Sequence, residues 1–317
     1  MKDTILFGDC KDTLKTIDSK VQMCVTSPPY YGLRDYGGEE NQIGQENTPE
    51  EYIESLVQVF REVKNVLSDD GVLWVNIGDS YYNYRPGKGQ GLVKQSVSKT
   101  NQDLPTKCNR RANKLEGLKE KDLIGIPWML AFALRSDGWY LRQDIIWHKP
   151  NPMPESVKDR CTKSHEYIFL LSKNKKYYYD NEAIKEPVKQ DWGTRDRTKG
   201  KYHNSGTGLS PHSGLSKSYD RKNKRSVWSI TNKPYKDAHF AVYPPDLIEP
   251  CILAGSQEGD IILDPFMGSG TTAMVAKKLG RHYIGCELHE SYSELIDKRV
   301  PVDKPIHNPL TKALNLI

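Results

Sequence analysis

The sequence has no long apolar run and no clustered cysteines, and these absences exclude several classes of protein. No segment approaches the ~20 apolar residues of a transmembrane helix. The six cysteines are scattered without a Cys-x-x-Cys pair, and no His and Cys are spaced as in a zinc site. The first nine residues lack the basic and then apolar layout of a signal peptide. We therefore expect a soluble cytoplasmic protein with free thiols, no membrane association and no metal.

Positive charge is concentrated in two polar segments. Residues 81–121 contain ten Lys and Arg against three Asp and Glu, and residues 189–225 contain the same numbers. The net charge of the whole chain is only +5, so the remainder is net acidic. One basic segment is usually a solvated loop. Two of them in an otherwise acidic chain favour a clamp around a polyanion such as nucleic acid.

Short apolar runs alternate with segments of helical periodicity. Thr48 and Pro49 provide a cap and a first helical residue, and apolar residues then recur at helical spacing up to Leu67. Strands that alternate with helices predict an α/β fold with a mostly parallel, doubly wound sheet. The predicted strands are residues 5–7, 21–26, 72–77, 139–148, 166–172, 260–263 and 282–286.

The strand at 21–26 ends in the sequence Thr26-Ser27-Pro28-Pro29-Tyr30. The two prolines fix φ and cannot donate to a ladder, so the strand must stop there. The turn would hold a hydroxyl, backbone carbonyls and an aromatic ring in place before a ligand arrives. The sequence alone also fits an ordinary turn at the end of a strand.

The strand at 260–263 ends in a glycine loop, Asp264-Pro265-Phe266-Met267-Gly268-Ser269-Gly270-Thr271-Thr272. Such a loop brings backbone close to a ligand and points the N-terminus of the next helix at an anionic group. It has no lysine, which argues against a nucleotide triphosphate, and it lacks the third glycine of the dinucleotide fingerprint.

Together, and in this order along the chain, the two motifs resemble the catalytic and cofactor loops of the beta-class, circularly permuted DNA amino-methyltransferases. These enzymes move a methyl group from S-adenosylmethionine to an exocyclic amine of a base. The resemblance implies a permuted Rossmann-like methyltransferase fold, with a mostly parallel seven-stranded sheet that ends in an antiparallel hairpin, and a basic DNA-recognition insertion.

The resemblance also implies a division of one methyltransferase domain into three parts. Residues 1–173 would form the catalytic part, with a basic loop at 81–121. Residues 174–228 would form the target-recognition insertion, and residues 229–317 the cofactor-binding part. Within the last part, residues 239–245 resemble the segment that closes over the methionine end of the cofactor.

The same resemblance implies S-adenosylmethionine as the cofactor and assigns roles around it. Asp264 would face its amino group, and Thr271 and Thr272 would bind its carboxylate. Glu287 would bind the ribose, because an acid at the end of the following strand suits both ribose hydroxyls, and Asp9 would lie near the adenine. The full implied set is Asp9, Asp264, Phe266, Gly268, Ser269, Gly270, Thr271, Thr272 and Glu287.

The implied catalytic residues are Ser27, Pro28, Pro29 and Tyr30. The Ser27 hydroxyl and the Pro28 carbonyl would accept the two amine protons and so expose the nitrogen lone pair, while Tyr30 stacks on a base flipped out of the duplex. Serine at this position is associated mainly with methylation of cytosine N4, and adenine N6 is the alternative. A methyltransferase of RNA or protein and a non-catalytic DNA-binding protein are the more distant alternatives.

Double-stranded DNA is the implied partner. The residues expected to contact it are Lys149, Asn151, His165, Arg195, Arg197, Lys199, Arg221, Lys222, Lys224 and Arg225. We expect a bacterial or phage-encoded, nucleoid-associated protein. The sequence leaves open whether a cognate restriction endonuclease accompanies it and whether it is a monomer or a homodimer.

Overall fold

Eight strands of the described part of the chain form one mixed sheet with helices on both faces, and two further short strands pair only with each other. The computed structural model describes residues 1–33, 42–82, 115–188, 220–232 and 243–300. The strands are β1 (Thr4–Phe7), β2 (Val21–Thr26), β3 (Leu67–Ile77), β4 (Tyr140–His148), β5 (His165–Ser172), β6 (Glu186–Pro187), β7 (Arg221–Lys222), β8 (Val227–Ser229), β9 (Ile261–Asp264) and β10 (His282–Glu287). The α-helices are α1 (Cys10–Thr13), α2 (Pro49–Val66), α3 (Ile126–Ser136), α4 (Pro245–Gly255), α5 (Thr271–Lys278) and α6 (Ser293–Arg299).

The strand order of the main sheet is β1-β10-β9-β2-β3-β5-β4-β8. The first five strands are parallel, and β3, β5 and β4 pair antiparallel. The first and last parts of the chain therefore interleave in one sheet, with β9 between β10 and β2. This arrangement confirms the predicted α/β fold and its antiparallel hairpin, β4–β5.

Alternation along the strands divides the core between the two faces of the sheet. On one face, Cys24 and Leu73 pack with the buried sides of α1, α2 and α3. On the other, Met23 and Trp74 pack with α4 and α5. A strand that is buried on both faces has a continuous run of apolar residues. This is why the sequence predicted these strands.

The sheet differs from the prediction in having eight strands instead of seven. The eighth, β8, pairs parallel with β4 and places Trp147 beside Trp228. Both indoles are buried and donate to backbone carbonyls, of Ile230 at 2.9 Å and of Arg225 at 2.7 Å. This strand lies within the segment assigned from the sequence to the recognition insertion, and the three-part division of the domain stays a prediction. β3 also begins five residues earlier than predicted, at Leu67.

Asp3 connects the edge strand β1 to the start of β10, at the end of the sheet opposite the two motifs. Its carboxylate contacts His282 Nδ1 at 2.8 Å and Lys277 Nζ at 3.1 Å, and it accepts from the Tyr283 backbone N at 3.2 Å. Partial burial acts to raise the pKa of Asp3, but these hydrogen bonds outweigh it and lower the pKa below its usual value.

A lowered carboxyl pKa makes the stability of the protein depend on pH. The contribution of Asp3 is fully present above the unfolded pKa, about 3.9, and is lost as the pH falls through the lower folded pKa. We expect Asp3→Asn to lower the free energy of unfolding by about 1 kcal/mol at neutral pH, and the difference from wild type to shrink in acid. Urea unfolding across this range measures it. Asp12→Asn, at an exposed carboxylate in α1, is the control, and an equal effect there would contradict the role of Asp3.

Candidate active site

The two motifs meet at the carboxyl edge of neighbouring strands. β2 and β9 are paired, with Cys24 beside Leu263. Two residues after Cys24, Thr26 Oγ1 donates to Oδ1 of Asp264, the residue after Leu263, at 2.5 Å and across 238 positions of sequence. Both side chains are buried. The proline turn and the glycine loop are therefore two walls of the same site.

The Asp264 carboxylate is the junction of this site and accepts from four protein donors. Oδ1 accepts from Thr26 Oγ1 at 2.5 Å and from the Phe266 backbone N at 3.0 Å. Oδ2 accepts from Thr272 Oγ1 at 2.5 Å and from the Tyr243 hydroxyl at 3.0 Å. Burial raises the pKa of Asp264, although these hydrogen bonds act to lower it. A carboxylate has about four lone-pair sites, so this one is already used by the protein. A contact of Asp264 with the amino group of the cofactor stays a prediction.

The glycine loop leads into the N-terminus of α5, where a buried hydroxyl has no partner among the described residues. Gly268 and Gly270 have φ of +53° and +81°, in the left-handed region that favours glycine. Gly270 is the N-cap of α5 and offers no side chain to cap it. Thr271 Oγ1 is buried and has no hydrogen-bond partner among the described residues. The helix N-terminus and this hydroxyl together suit an anionic group such as a carboxylate.

Two further residues of the loop are held from α6. Arg299 Nη1 donates to Ser269 Oγ at 2.6 Å. A Cβ at Gly270 would lie 3.3 Å from Ile296 Cγ2, so α6 packs directly on the loop. Ile296 and Arg299 were not identified in the sequence, where α6 carried no motif. The amphipathic spacing of a C-terminal helix was the only signal available.

Glu287 and Asp9 lie beside the loop on the next two strands. Glu287 is buried and accepts from the Gly268 backbone N at 2.8 Å and from the His289 backbone N at 3.0 Å. Burial raises its pKa, against these two hydrogen bonds. Asp9 caps α1 by accepting from the Lys11 backbone N at 2.8 Å. β1 and β10 pair so that both acids end their strands at the same edge, as a nucleoside bound across that edge requires.

The proline turn is held from behind by α2. The Tyr52 hydroxyl, on a fully buried side chain, donates to the Pro29 carbonyl at 2.8 Å. Pro28 is buried, whereas Ser27 stays partly exposed. The backbone of the turn is thus fixed by two proline rings and one buried hydrogen bond, and the Ser27 side chain remains accessible.

Tyr30 is fixed at its hydroxyl and along its ring. Its hydroxyl donates to Glu166 Oε2 at 2.6 Å, and a Cβ at Gly78 would lie only 2.7 Å from Tyr30 Cε2. Burial raises the pKa of Tyr30 well above its usual value, as does the charge of Glu166, whereas a hydrogen bond from the Ser27 hydroxyl acts to lower it. Neither Glu166 nor Gly78 was among the predicted site residues.

Comparison with known proteins identifies the family to which the chain belongs. The N6_N4_Mtase family model, described as DNA methylase, matches residues 21–298. The chain belongs to this family. The Type II methyltransferase M.SmaI of Serratia marcescens is 47% identical over 302 residues, 93% of this chain and 90% of that protein. The Type II methyltransferase M.Cfr9I of Citrobacter freundii is 46% identical over 299 residues, 94% of this chain and 87% of that protein.

Solved structures agree on the fold of this DNA methylase. A PvuII DNA methyltransferase described as cytosine-N4-specific superposes with a TM-score of 0.62 at 17% identity, covering 99% of this chain and 91% of that one. An M1.HpyAVI complex with S-adenosylmethionine superposes with a TM-score of 0.55 at 17% identity, covering 94% and 99%. At these identities the comparison shows the fold alone, and it confirms the Rossmann-like methyltransferase fold.

Lys149 and Asn151, predicted to contact DNA, follow β4 and have partners within the protein, and His165 of the same set is the first residue of β5. Lys149 Nζ pairs with Glu166 and lies 4.2 Å from the centre of the Trp147 ring. Asn151 exchanges two hydrogen bonds with the backbone of Asn232, at 3.2 and 3.1 Å. Burial lowers the pKa of His165, assisted by the charge of nearby Lys163, so its imidazole is biased toward the neutral form.

The basic residues near β7 and β8 that were predicted to contact DNA also have contacts within the protein. Arg225 binds Glu186 through its backbone N and guanidinium, at 2.7 to 3.3 Å. Arg221 donates to the Lys185 carbonyl at 3.1 Å, and Lys224 lies 5.0 Å from the centre of the Trp228 ring. Lys222 lies in β7 opposite Glu186. The predicted contacts of Arg195, Arg197 and Lys199 fall outside the described residues, and DNA contact by the whole set stays a prediction.

The described part of the chain contains neither a group of metal ligands nor a membrane-spanning helix. Among those residues, no three His, Cys, Asp or Glu side chains are grouped as a metal site would require. No described helix is both long enough and apolar enough to cross a bilayer.

Proposed function

We propose that this DNA methylase transfers a methyl group from S-adenosylmethionine to the exocyclic N4 amine of a flipped-out cytosine in double-stranded DNA. The observation that carries the proposal is the buried hydrogen bond from Thr26 to Asp264. It places the proline turn, suited to an amine, directly beside the glycine loop, suited to the amino acid end of the cofactor.

The described residues fit S-adenosylmethionine. The N-terminus of α5 and the Thr271 hydroxyl, which pairs with none of the described residues, suit its carboxylate, Glu287 suits the ribose hydroxyls, and Asp9 lies where the adenine would follow. When bound, this cofactor supplies a methyl carbon whose bond to a positively charged sulfur breaks as its bond to the amine nitrogen forms.

The proline turn activates the amine by geometry. An exocyclic amine is a poor nucleophile because its lone pair is delocalised into the ring. The Ser27 hydroxyl and the Pro28 carbonyl accept hydrogen bonds from its two N–H groups and draw the nitrogen toward a tetrahedral shape. Because Pro28, Pro29 and the Tyr52 hydrogen bond fix the turn in advance, little freedom is lost when the base arrives. No covalent enzyme intermediate is needed.

Ser27 favours cytosine over adenine as the target, and this choice remains a proposal. The PvuII enzyme that shares the fold is described as cytosine-N4-specific. Adenine N6 is the alternative, because both reactions need the same two acceptors. The names of the relatives, Type II methyltransferases, support a role in restriction and modification. We propose a cognate endonuclease and a location at the nucleoid on the same grounds, and the oligomeric state stays open.

The identity of the methylated base tests this proposal. The full chain is incubated with long, unmodified double-stranded DNA of mixed sequence and with deuterated-methyl S-adenosylmethionine, and the DNA is digested to nucleosides for mass spectrometry. We expect labelled N4-methylcytosine, and we expect S-adenosylmethionine to raise the melting temperature of the protein as a ligand of the native state does. Labelled N6-methyladenine would select the alternative. Cofactor binding with label only in RNA or protein would contradict DNA as the substrate.

A further inference from the structure

The Glu166 carboxylate collects donors from three other strand ends of the sheet. Oε2 accepts from the Tyr30 hydroxyl at 2.6 Å and from Asn76 Nδ2 at 3.2 Å. Oε1 pairs with Lys149 Nζ. Tyr30 follows β2, Asn76 lies in β3, and Lys149 follows β4, so one side chain of β5 links the hairpin to the proline turn.

This network is largely withdrawn from solvent. The Glu166 and Lys149 side chains are 14% and 16% exposed, and Asn76 is buried. Removing charges from water is costly, so a buried pair of this kind adds little stability over apolar residues of similar volume. Asn76 Nδ2 also donates to the Tyr167 carbonyl at 3.2 Å. This second hydrogen bond fixes the orientation of the amide in which Nδ2 faces Glu166.

The network determines which acceptor receives the hydrogen bond of the Tyr30 hydroxyl. A phenol has one O–H, and here it points to Glu166. Its proton therefore goes to Glu166, with Asn76 Oδ1 more distant at 3.5 Å, and is not donated to Ser27. The lone pairs of the Ser27 hydroxyl stay available to another donor. An acceptor with free lone pairs is what the amine protons of a base require.

We propose that Glu166 is a positioning residue for methyl transfer, which fixes the Tyr30 hydroxyl as a donor and so keeps Ser27 as an acceptor. The inference rests on the proposed function, and it adds a residue that acts through Tyr30 without touching the base. It also assigns Lys149 to Glu166 as the counter-charge of this carboxylate beside Tyr30.

A double-mutant cycle tests the link between Glu166 and Tyr30. Glu166→Gln keeps the shape of the side chain but removes its charge, and Tyr30→Phe keeps the ring against Gly78 but removes its hydroxyl. Each single variant should lower kcat about 10- to 100-fold, because a misplaced acceptor costs rate without costing binding. The kcat of the double variant should be no lower than that of the less active single variant. The Kd for S-adenosylmethionine should stay within about twofold of wild type in all three variants.

Glu155→Gln is the matched control. Glu155 lies in the connection that leads into β5, and it is ion-paired with Arg160 at 2.8 Å. Its kcat should equal that of wild type. If Glu166→Gln unfolds, Tyr30→Phe tests the same hydrogen bond from its other end, and a wild-type kcat in Tyr30→Phe would overturn the inference.

The outcomes separate this inference from the proposed function. An active wild type beside an equally active Glu166→Gln, or single losses that multiply in the double variant, would overturn the positioning role only. A wild type that methylates no DNA would overturn the proposed function itself, and the inference with it.

Discussion

Ser27→Ala should lower kcat for DNA methylation about 100-fold or more while S-adenosylmethionine still binds. The magnitude is that of removing one pre-positioned hydrogen-bonding group from an active site. The turn itself should survive, because two prolines and the Tyr52 hydrogen bond hold its backbone. The variant thus removes one acceptor and leaves the other, the Pro28 carbonyl, in place.

Single-turnover methylation and calorimetric binding of S-adenosylmethionine separate the two effects. Ser19→Ala is the control, since Ser19 is also partly exposed and precedes the opposite end of β2. It should be as active as wild type. Equal activity of Ser27→Ala would remove the serine from the mechanism and leave the base to be positioned by backbone alone.

The fold was largely predictable because its signals are local. The strand runs before Ser27 and Asp264 are apolar on both faces, and the helix from Pro49 begins with a capping box. The placement of β9 beside β2 was not local information. The family resemblance implied only a permuted fold in which the two loops serve one site, and nothing in the two segments specifies the pairing of these strands.

The chemistry that connects the motifs was not predictable, for a physical reason. Glu166 reads in the sequence as one charged residue at the start of the predicted strand at 166–172, and the role proposed for it depends on donors 90 and 136 positions away. β8 was missed because three residues beside a basic stretch have no period to detect. Arg225, predicted to contact DNA, also binds Glu186, a partner that charge alone does not identify.

Asp264→Ala should have the largest effect on stability. Its carboxylate is fully buried and satisfies four donors, and removing it leaves the Phe266 N–H and the Thr26 hydroxyl without their acceptor. Each unsatisfied buried group costs about 1–3 kcal/mol. The Tyr243 and Thr272 hydroxyls can still pair with each other, so we expect a total loss of about 3–5 kcal/mol, measured by urea unfolding.

Asp264→Asn then distinguishes a structural junction from a cofactor ligand. Asparagine keeps one oxygen for Thr26 and Phe266, and its amide can donate to hydroxyls that reverse their own hydrogen bonds. Because burial raises the pKa of Asp264, the neutral amide also avoids the cost of a buried charge. If Asp264 serves as the junction, this variant should retain most of the stability and bind S-adenosylmethionine within about tenfold of wild type. If its charge binds the amino group of the cofactor, as the resemblance implies, binding should be lost while the fold persists. Loss of both in Asp264→Asn would show that the ionised carboxylate is needed for the junction itself.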